Sequence, residues 1–175
     1  MGISVDAIKG LREKPGAPLH DVKSALEASR GDEAKAMEYL KRKGFEAAKK
    51  RQGRAAKLGR VDAYIHHDGR VGTLVEVNCE TDFVARLPEF HQLCLDLGMQ
   101  IASQSPRYAR KDDLTPGDVE EARRLGQTSE EWAAAHCLLE QPFIKDQAQT
   151  IGQYVSLLIA KTGENIVVRR FARFS

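Results

Sequence analysis

A change in hydrophobic periodicity near residue 61 restricts the fold of this 175-residue chain more than any other feature. Before it, apolar residues recur at helical spacing. After it, two runs rich in β-branched residues, 61–66 and 71–78, flank the pair Asp68-Gly69, which predicts a β-hairpin. A helical part followed by a part that mixes strands and helices predicts an α+β fold.

The first 45 residues predict three short helices that share one small core. Proline and glycine residues at 15–18 end the first helix. The second helix begins at His20 and ends near Gly31, and Asp32 caps a third helix that Gly44 closes. We therefore expect a compact three-helix module over 1–45.

Residues 61–175 predict a core in which a sheet is combined with helices. The β-type run at 165–174 is expected to return to the hairpin as a third, antiparallel strand. The helices of this core are predicted over 89–104, as one short helix within 105–127, over 128–140 and over 146–161. In the first of them, an apolar stripe recurs at helical spacing: Phe90, Leu93, Leu97 and Ile101.

The charge is unevenly distributed along the chain, although it sums to only +2. Residues 1–40 carry net −1, residues 41–60 carry nine basic side chains and one acidic one, and residues 61–175 carry net −5. We predict that 46–60 is a basic helical linker. A contact with an acidic partner and an RNA-binding arm over 41–60 are the alternatives, and the lack of aromatic residues after Phe45 disfavours base stacking.

Several function classes are disfavoured by what the sequence lacks. No apolar run approaches the 18 residues that a membrane helix requires. Neither of the glycine-rich phosphate-binding patterns occurs, so we expect no direct nucleotide binding and no cofactor. The three cysteines are widely spaced, which argues against a zinc site or a disulfide framework. They fit a reducing compartment, and we expect a cytoplasmic protein.

Two pairs of residues are candidate sites of chemistry. His66 and His67 are adjacent, and neighbours on a strand face opposite sides, so we expect two exposed side chains and no metal site. Cys79 and His91 suggest a nucleophile with its base, but a small buried residue at a strand end is the favoured interpretation of Cys79. We therefore predict no catalytic residues and no enzyme.

The segment 76–86, with the sequence EVNCETDFVAR, leaves a strand and enters a new element just before Pro88. Thr81 or Asp82 is placed to cap a helical turn. Phe83 then has two possible roles. It fills the core of the chain itself, or it is presented at a tight corner as an anchor for a pocket on a partner.

This segment is similar to the signature of the elongation factor Ts family, the guanine-nucleotide exchange factors of elongation factor Tu. Residues 11–26 and 161–170 resemble the family's N-terminal and C-terminal motifs, in the same order along the chain. The chain is short and looks like the compact, Thermus-type form that lacks a second core subdomain. It departs from the family pattern at Pro15, Pro18 and His20.

The resemblance implies a role for each part of the chain. The N-terminal module would be ubiquitin-associated-like and dock on the nucleotide-binding domain of the GTPase. Residues 61–175 would form the α+β core and dimerisation domain, with the three-stranded sheets of a homodimer packed together. Nucleic acid is not expected as a partner. The turn that contacts the GTPase would comprise Gly16, Ala17, Pro18, Leu19 and His20.

The resemblance also assigns a role to the corner at the end of the signature. Asp82 and Phe83 would be inserted beside the magnesium and phosphate site of the GTPase. Phe83 would act as a wedge, Asp82 would keep the contact polar and oriented, and Thr81 and Val84 would flank the pair. GDP release would follow without any chemical step.

Overall fold

A computed structural model describes residues 19–175, so the first predicted helix and the turn at 15–18 lie outside the described residues. The elements are α1 (Leu19–Ala28), α2 (Glu33–Lys49), β1 (Leu58–Ile65), β2 (Gly72–Cys79), α3 (Asp82–Ala85), α4 (Pro88–Gln104), α5 (Pro116–Arg124), α6 (Ser129–His136), β3 (Pro142–Phe143), β4 (Asp146–Thr150), α7 (Ile151–Thr162) and β5 (Val167–Phe174). Short 3-10 turns occur at Lys111–Asp113 and Leu138–Glu140. The fold is α+β, as predicted.

The chain divides into two compact units. The helical unit comprises the described residues up to Arg54 together with Ser156–Asn165. The sheet unit comprises Ala55–Val155 and Ile166–Ser175. The ubiquitin-associated-like module and the chain division at 45 and 60 stay predictions.

In the helical unit, α1 and α2 are joined by a tight turn with defined caps. Gly31 adopts a φ of +85° and its N–H donates to the carbonyl of Leu26 at 2.9 Å, which ends α1. The carboxylate of Asp32 accepts from the backbone N–H of Lys35 at 3.1 Å and caps α2. The core of this unit comprises Val22, Ala25, Leu26, Ala36 and Leu40.

The prediction that Gly44 closes the third helix was wrong. Helix α2 passes through Gly44 and continues to Lys49. Gly44 is buried, and a Cβ there would lie 3.4 Å from the Cβ of Ala160 and 3.5 Å from the Cδ2 of Leu157, both on α7. Gly44 therefore lies within the helix and packs against α7, rather than ending the helix.

The sheet unit contains a three-stranded antiparallel sheet in the order β1–β2–β5. The predicted hairpin is confirmed, since Asp62 pairs with Val75 and the turn is closed by a bond from the N–H of His66 to the carbonyl of Val71. The return of the last strand is also confirmed, because β5 pairs with β2 through Val75 and Phe171. Strand β1 begins three residues earlier than predicted, at Leu58.

Helix α4 covers one face of this sheet. Its predicted stripe, Phe90, Leu93, Leu97 and Ile101, is fully buried. Gly98 permits the close approach, since a Cβ there would lie 2.8 Å from the Cβ of Tyr64. The opposite face of the sheet is open, and its apolar side chains include Val61, Ile65, Leu74 and Phe174, all exposed.

Two predicted helices have different limits in the structure. Helix α6 ends at His136 instead of 140. Residues 146–150 form strand β4 of a small second sheet, and α7 begins only at Ile151. The Oγ of Thr150 accepts from the N–H of Gln153 at 3.2 Å, and the side chain of Gln153 accepts from the N–H of Thr150 at 3.0 Å. This reciprocal cap fixes the start of the helix.

Candidate functional site

The signature segment forms a sharp corner between β2 and α4. Thr81 has extended backbone angles and acts as the N-cap of the single-turn helix α3, where its Oγ1 accepts from the N–H of Val84 at 3.4 Å. The N–H of Arg86 donates to the carbonyl of Phe83 at 3.2 Å, which ends the turn. Leu87 and Pro88 then begin α4. The chain thus changes direction within a few residues, as the cap and the proline predicted.

Burial changes sharply along this corner. Val84 and Ala85 are buried in the sheet unit, while the side chain of Phe83 is 72% exposed. Phe83 therefore does not fill the core. Of its two possible roles, that of an exposed anchor remains. The two buried neighbours and the cap hold the turn, so the ring is presented on a fixed support.

The carboxylate of Asp82 is paired with Arg86, four residues further on. An Nη2 of Arg86 donates to the Oδ2 of Asp82 at 2.5 Å, and both side chains are largely exposed. The i, i+4 spacing of opposite charges is a signal that the sequence contains. An acidic and an aromatic side chain thus stand side by side on the surface.

Cys79 supports the corner and is not a reactive thiol. It is fully buried, and its Sγ donates to the carbonyl of Thr81 at 3.0 Å. The favoured interpretation, a small buried residue at a strand end, is confirmed. Burial, together with the carboxylate of Asp62, raises the pKa of Cys94 to about 12. Cys94 is therefore also unreactive near neutral pH.

A charged network on α4 and β1 was not found from the sequence. The guanidinium of Arg60 donates to both carboxylate oxygens of Asp62, at 2.7 and 2.8 Å, and its Nη1 donates to the Nε2 of His91. The i, i+2 spacing of Arg60 and Asp62 places them on one strand face. His91 is 31 residues away, and nothing local predicts that contact. His91 is thus engaged with Arg60 rather than with Cys79.

His66 and His67 lie closer together than predicted. Strand β1 ends at Ile65, so the pair belongs to the turn, and the ring centroids are 4.3 Å apart. The expectation that the rings face opposite sides was wrong, because the alternation of a strand does not extend into a turn. Within residues 19–175, no group of three or more histidine, cysteine or acidic side chains comes together as a metal site would require.

The second predicted contact region is only partly described. Leu19 and His20 begin α1, and the imidazole of His20 is exposed beside Asp21. Gly16, Ala17 and Pro18 lie outside the described residues. The structure therefore brings together Thr81, Asp82, Phe83 and Val84 in the sheet unit, whereas Leu19 and His20 belong to the helical unit.

Several cations of the basic segment 41–60 have structural partners. In the helical unit, the ammonium of Lys43 bonds to Asp21 at 2.7 Å and holds the pKa of that carboxyl below its usual range. Arg51 donates to the carbonyls of Ala47 and Gly163, both at 2.8 Å. These bonds reduce the charge available to a ligand.

Comparison with known proteins identifies the family. The family model for elongation factor Ts matches residues 21–135, about two thirds of the chain. An elongation factor Ts from Thermotoga neapolitana is 42% identical over 99% of this chain and 97% of its own length. The chain belongs to the elongation factor Ts family. Relatives of the same name from Caldanaerobacter subterraneus and Carboxydothermus hydrogenoformans are 42% and 44% identical over 98% of this chain, and 96% and 88% of their own lengths.

The elongation factor Ts family model covers the corner at 81–86, all of α2 and all of α1 except its first two residues. The resemblance read from the sequence is thereby confirmed. In the part of the chain that the structure describes, no helix is long and apolar enough to cross a membrane.

Proposed function

We propose that this chain is a guanine-nucleotide exchange factor for elongation factor Tu in translation elongation, acting in the cytoplasm. It promotes GDP release by inserting the corner of Asp82 and Phe83 beside the magnesium and phosphate site of the GTPase. Its relatives carry the name elongation factor Ts, which supports this role. The exposed Phe83 on a rigid corner is the observation that carries the mechanism.

An exposed aromatic ring on a fixed turn is suited to anchor a partner. Large exposed apolar side chains lose most of their exposure when they fill a pocket, and aromatic residues dominate interface energetics. Because Thr81 caps the turn and Val84 is buried beneath it, little conformational entropy remains to be lost on binding. The corner therefore enters the partner without prior folding.

The proposed exchange requires no chemical step. GDP is held by Mg²⁺ and by loop N–H groups that surround its phosphates. A protein that binds a GTPase conformation in which those groups are displaced weakens GDP binding, and GDP weakens the binding of that protein equally. A thousandfold faster release corresponds to about 4 kcal/mol. One aromatic anchor in a small interface supplies energy of that order.

The polar residues of the corner have a directing role in this proposal. The carboxylate of Asp82 is held by Arg86 at 2.5 Å, so its position relative to the Phe83 ring is set before binding. A carboxylate near Mg²⁺ and phosphates also brings like charge to the phosphate side, which favours displacement of the nucleotide. The helical unit, with Leu19 and His20, is proposed to dock on the nucleotide-binding domain of the same GTPase.

The first experiment replaces the anchor. Phe83→Ala should slow the release of a fluorescent GDP analogue from elongation factor Tu by about thirtyfold, since hot-spot residues contribute about 2 kcal/mol or more. Stopped-flow mixing of the loaded GTPase with the variant measures the rate. The free energy of unfolding should change by less than about 0.5 kcal/mol, because the side chain is exposed.

Leu125→Ala is the matched control, because Leu125 is also a large exposed apolar residue and lies after α5 rather than at the corner. This variant should release GDP at the wild-type rate. Wild-type release by Phe83→Ala would disprove the anchor. A large loss of stability in Phe83→Ala would instead indicate a structural role for the ring.

We also propose that the chain is a homodimer in which the open sheet faces pack together. The open face carries exposed Val61, Ile65, Leu74 and Phe174, which form an apolar surface of the kind that marks interaction sites. Light scattering should give about twice the chain mass of 19.4 kDa. A monomeric mass at all concentrations would rule out this arrangement without touching the exchange activity.

A further inference from the structure

We infer that the ion pair between Glu76 and Arg170 sets the register in which two copies of this chain join their open sheet faces. The inference rests on the proposed homodimer and adds to it the residues that select one packing arrangement. The pair is a charged feature on a face that is otherwise largely apolar. In each chain the pair has no net charge. Some of its hydrogen-bonding groups are unused, and they can bond to the same pair in a second copy.

The pair lies in one cross-strand row of the sheet. Val61, Glu76 and Arg170 are aligned across β1, β2 and β5. The next row toward the hairpin contains Ala63, Leu74 and Ala172, so apolar residues adjoin the charges directly. A shallow depression of about 280 Å³ is lined by residues of these two rows and by Phe171. Any partner that covers the apolar rows therefore also meets the charges.

The hydrogen bonds within the pair leave donors and an acceptor available. The Nε of Arg170 donates to the Oε2 of Glu76 at 2.6 Å. Within the described residues, this contact is the only polar one that either side chain makes. The two Nη groups of Arg170, whose side chain is 81% exposed, can thus donate to a further carboxylate, and Oε1 of Glu76 can accept. Each chain therefore offers unused donors on Arg170 and an unused acceptor on Glu76, which can bond to the matching groups of a second copy.

Two-fold symmetry makes such a surface self-complementary. In a symmetric dimer, a contact from residue i to residue j is repeated from j to i. If the axis runs parallel to the strands between β2 and β5, Glu76 of each copy faces Arg170 of the other and Leu74 faces Ala172, while β1 of each copy lies at the edge of the contact. The four side chains then alternate in charge around a ring, so that each guanidinium lies between two carboxylates. The same axis places Phe174 over Gly72, a large residue over a small one.

Other registers are penalised by the same charges. If each β2 crosses the β2 of the second copy at this row, Glu76 faces Glu76, and like charges meet in a region from which water is excluded. If the sheets slide along each other, the pair is buried beneath apolar residues with its unused groups unsatisfied, which is costly. Apolar packing thus favours association, and the ion pair selects its geometry.

The test exploits the reciprocity of the ring. Glu76→Arg gives a chain with two positive charges in the row, and Arg170→Glu gives a chain with two negative charges. Each variant alone should have its dimer dissociation constant raised by at least about thirtyfold, since leaving an interface charge unpaired has a large effect. An equimolar mixture should recover dimers, because each copy then faces the opposite charge. Light scattering and analytical ultracentrifugation measure all three samples.

A matched control distinguishes the effect of the charges in this row from the effect of any change in surface charge. Lys111 and Glu130 form an exposed ion pair at 2.7 Å that does not belong to the sheet, so Lys111→Glu should dimerise like the wild type. Circular dichroism and the fluorescence of Trp132, the single tryptophan, report whether each variant is folded. If a charge reversal does not fold, the double variant Glu76→Gln with Arg170→Gln removes both charges without introducing a new one and should still weaken the dimer.

The possible outcomes distinguish the register from the dimer itself. If the wild type is a dimer and the variants dimerise equally well, Glu76 and Arg170 do not set the register. The same conclusion follows if the two variants form no heterodimer when they are mixed. A wild-type monomer would overturn the homodimer on which the inference rests. Monomeric variants that form a heterodimer on mixing support it, and this result is not expected from a structural role of either residue within one chain.

Discussion

Gly59 illustrates how the absence of one side chain shapes the sheet. Its φ is +145°, which residues with a Cβ rarely adopt. A Cβ at this position would lie 2.1 Å from the carbonyl oxygen of Val77 and 2.7 Å from the Cα of Asn78, both backbone atoms of the adjacent strand. Since backbone atoms cannot rotate away, β1 and β2 can pair here only because Gly59 has no side chain.

We therefore expect Gly59→Ala to lower the free energy of unfolding by about 3 kcal/mol, from backbone strain and displacement of the strand pair. Urea unfolding followed by the fluorescence of Trp132 measures the change. Gly69→Ala is the control, because Gly69 also has a positive φ but nothing lies within 4 Å of its added Cβ. It should cost about 1 kcal/mol. Equal effects would show that the close approach at Gly59 is unimportant.

For Phe83, the local sequence predicts the position in a turn but not whether the ring is buried or exposed. The sequence shows that an aromatic residue follows a capping position, and this is compatible with both a buried and an exposed ring. The exposure was decided by its neighbours, because Val84 and Ala85 occupy the inward side of the one-turn helix. A helix of four residues has no periodicity from which its buried side could be read.

At the scale of secondary structure elements, α2 shows how packing extends a helix beyond a conventional stop signal. Glycine often ends helices because it adopts a left-handed conformation. Gly44 is instead helical and buried against Ala160 and Leu157 in the helical unit. Residues 33–49 alone contain no information about the surface of α7 that packs against them. The sequence therefore predicted a helix end at Gly44, where the structure has a contact between helices.

Gly44→Ala is consequently expected to leave the free energy of unfolding of the helical unit unchanged or to raise it by up to about 1 kcal/mol. A Cβ at 3.4 Å from its nearest neighbour is in ordinary contact, and alanine favours helix formation over glycine. Gly44→Leu should destabilise it by about 1–3 kcal/mol through overpacking. Thermal unfolding followed by circular dichroism compares the two. Destabilisation by alanine as large as that by leucine would contradict a helical Gly44.

Helix α7 shows the converse case, in which a local signal in the sequence marks the start of the helix. Thr150 and Gln153 have the spacing of a capping box, and their reciprocal hydrogen bonds begin the helix at Ile151. Thr150 itself pairs with Pro142 in the small sheet, and Asp146 pairs with Phe143. The apolar spacing within the helix gave no information about this boundary.

At the scale of the whole molecule, the net charge of +2 conceals a basic segment in which several cations have structural partners. Lys43 and Arg51 bond within the helical unit, and Arg60 bonds to Asp62 within the sheet unit. Lys49 and Lys50 are exposed at the end of α2. The number of cations free to neutralise phosphates is therefore smaller than the composition of 41–60 indicates.

This distribution predicts weak RNA binding. Filter binding of a single-stranded RNA at near-physiological salt should give a dissociation constant no tighter than the roughly 1–100 μM of non-specific binding, with a shallow dependence on salt. Lys49→Gln with Lys50→Gln should reduce that slope further and leave GDP release unchanged. Submicromolar affinity with a slope that reflects many neutralised phosphates would support the RNA-binding alternative instead.

The sequence by itself determined the α+β class, the hairpin, the buried stripe of α4 and the family, because these depend on periodicity, turn residues and motifs that are local in the chain. Only the tertiary structure decided that Phe83 is exposed, that Gly44 lies within a helix and that Glu76 meets Arg170, 94 residues away. The physical reason is the same in each case. Burial and pairing depend on which distant surface arrives at a residue, and local spacing does not contain that information.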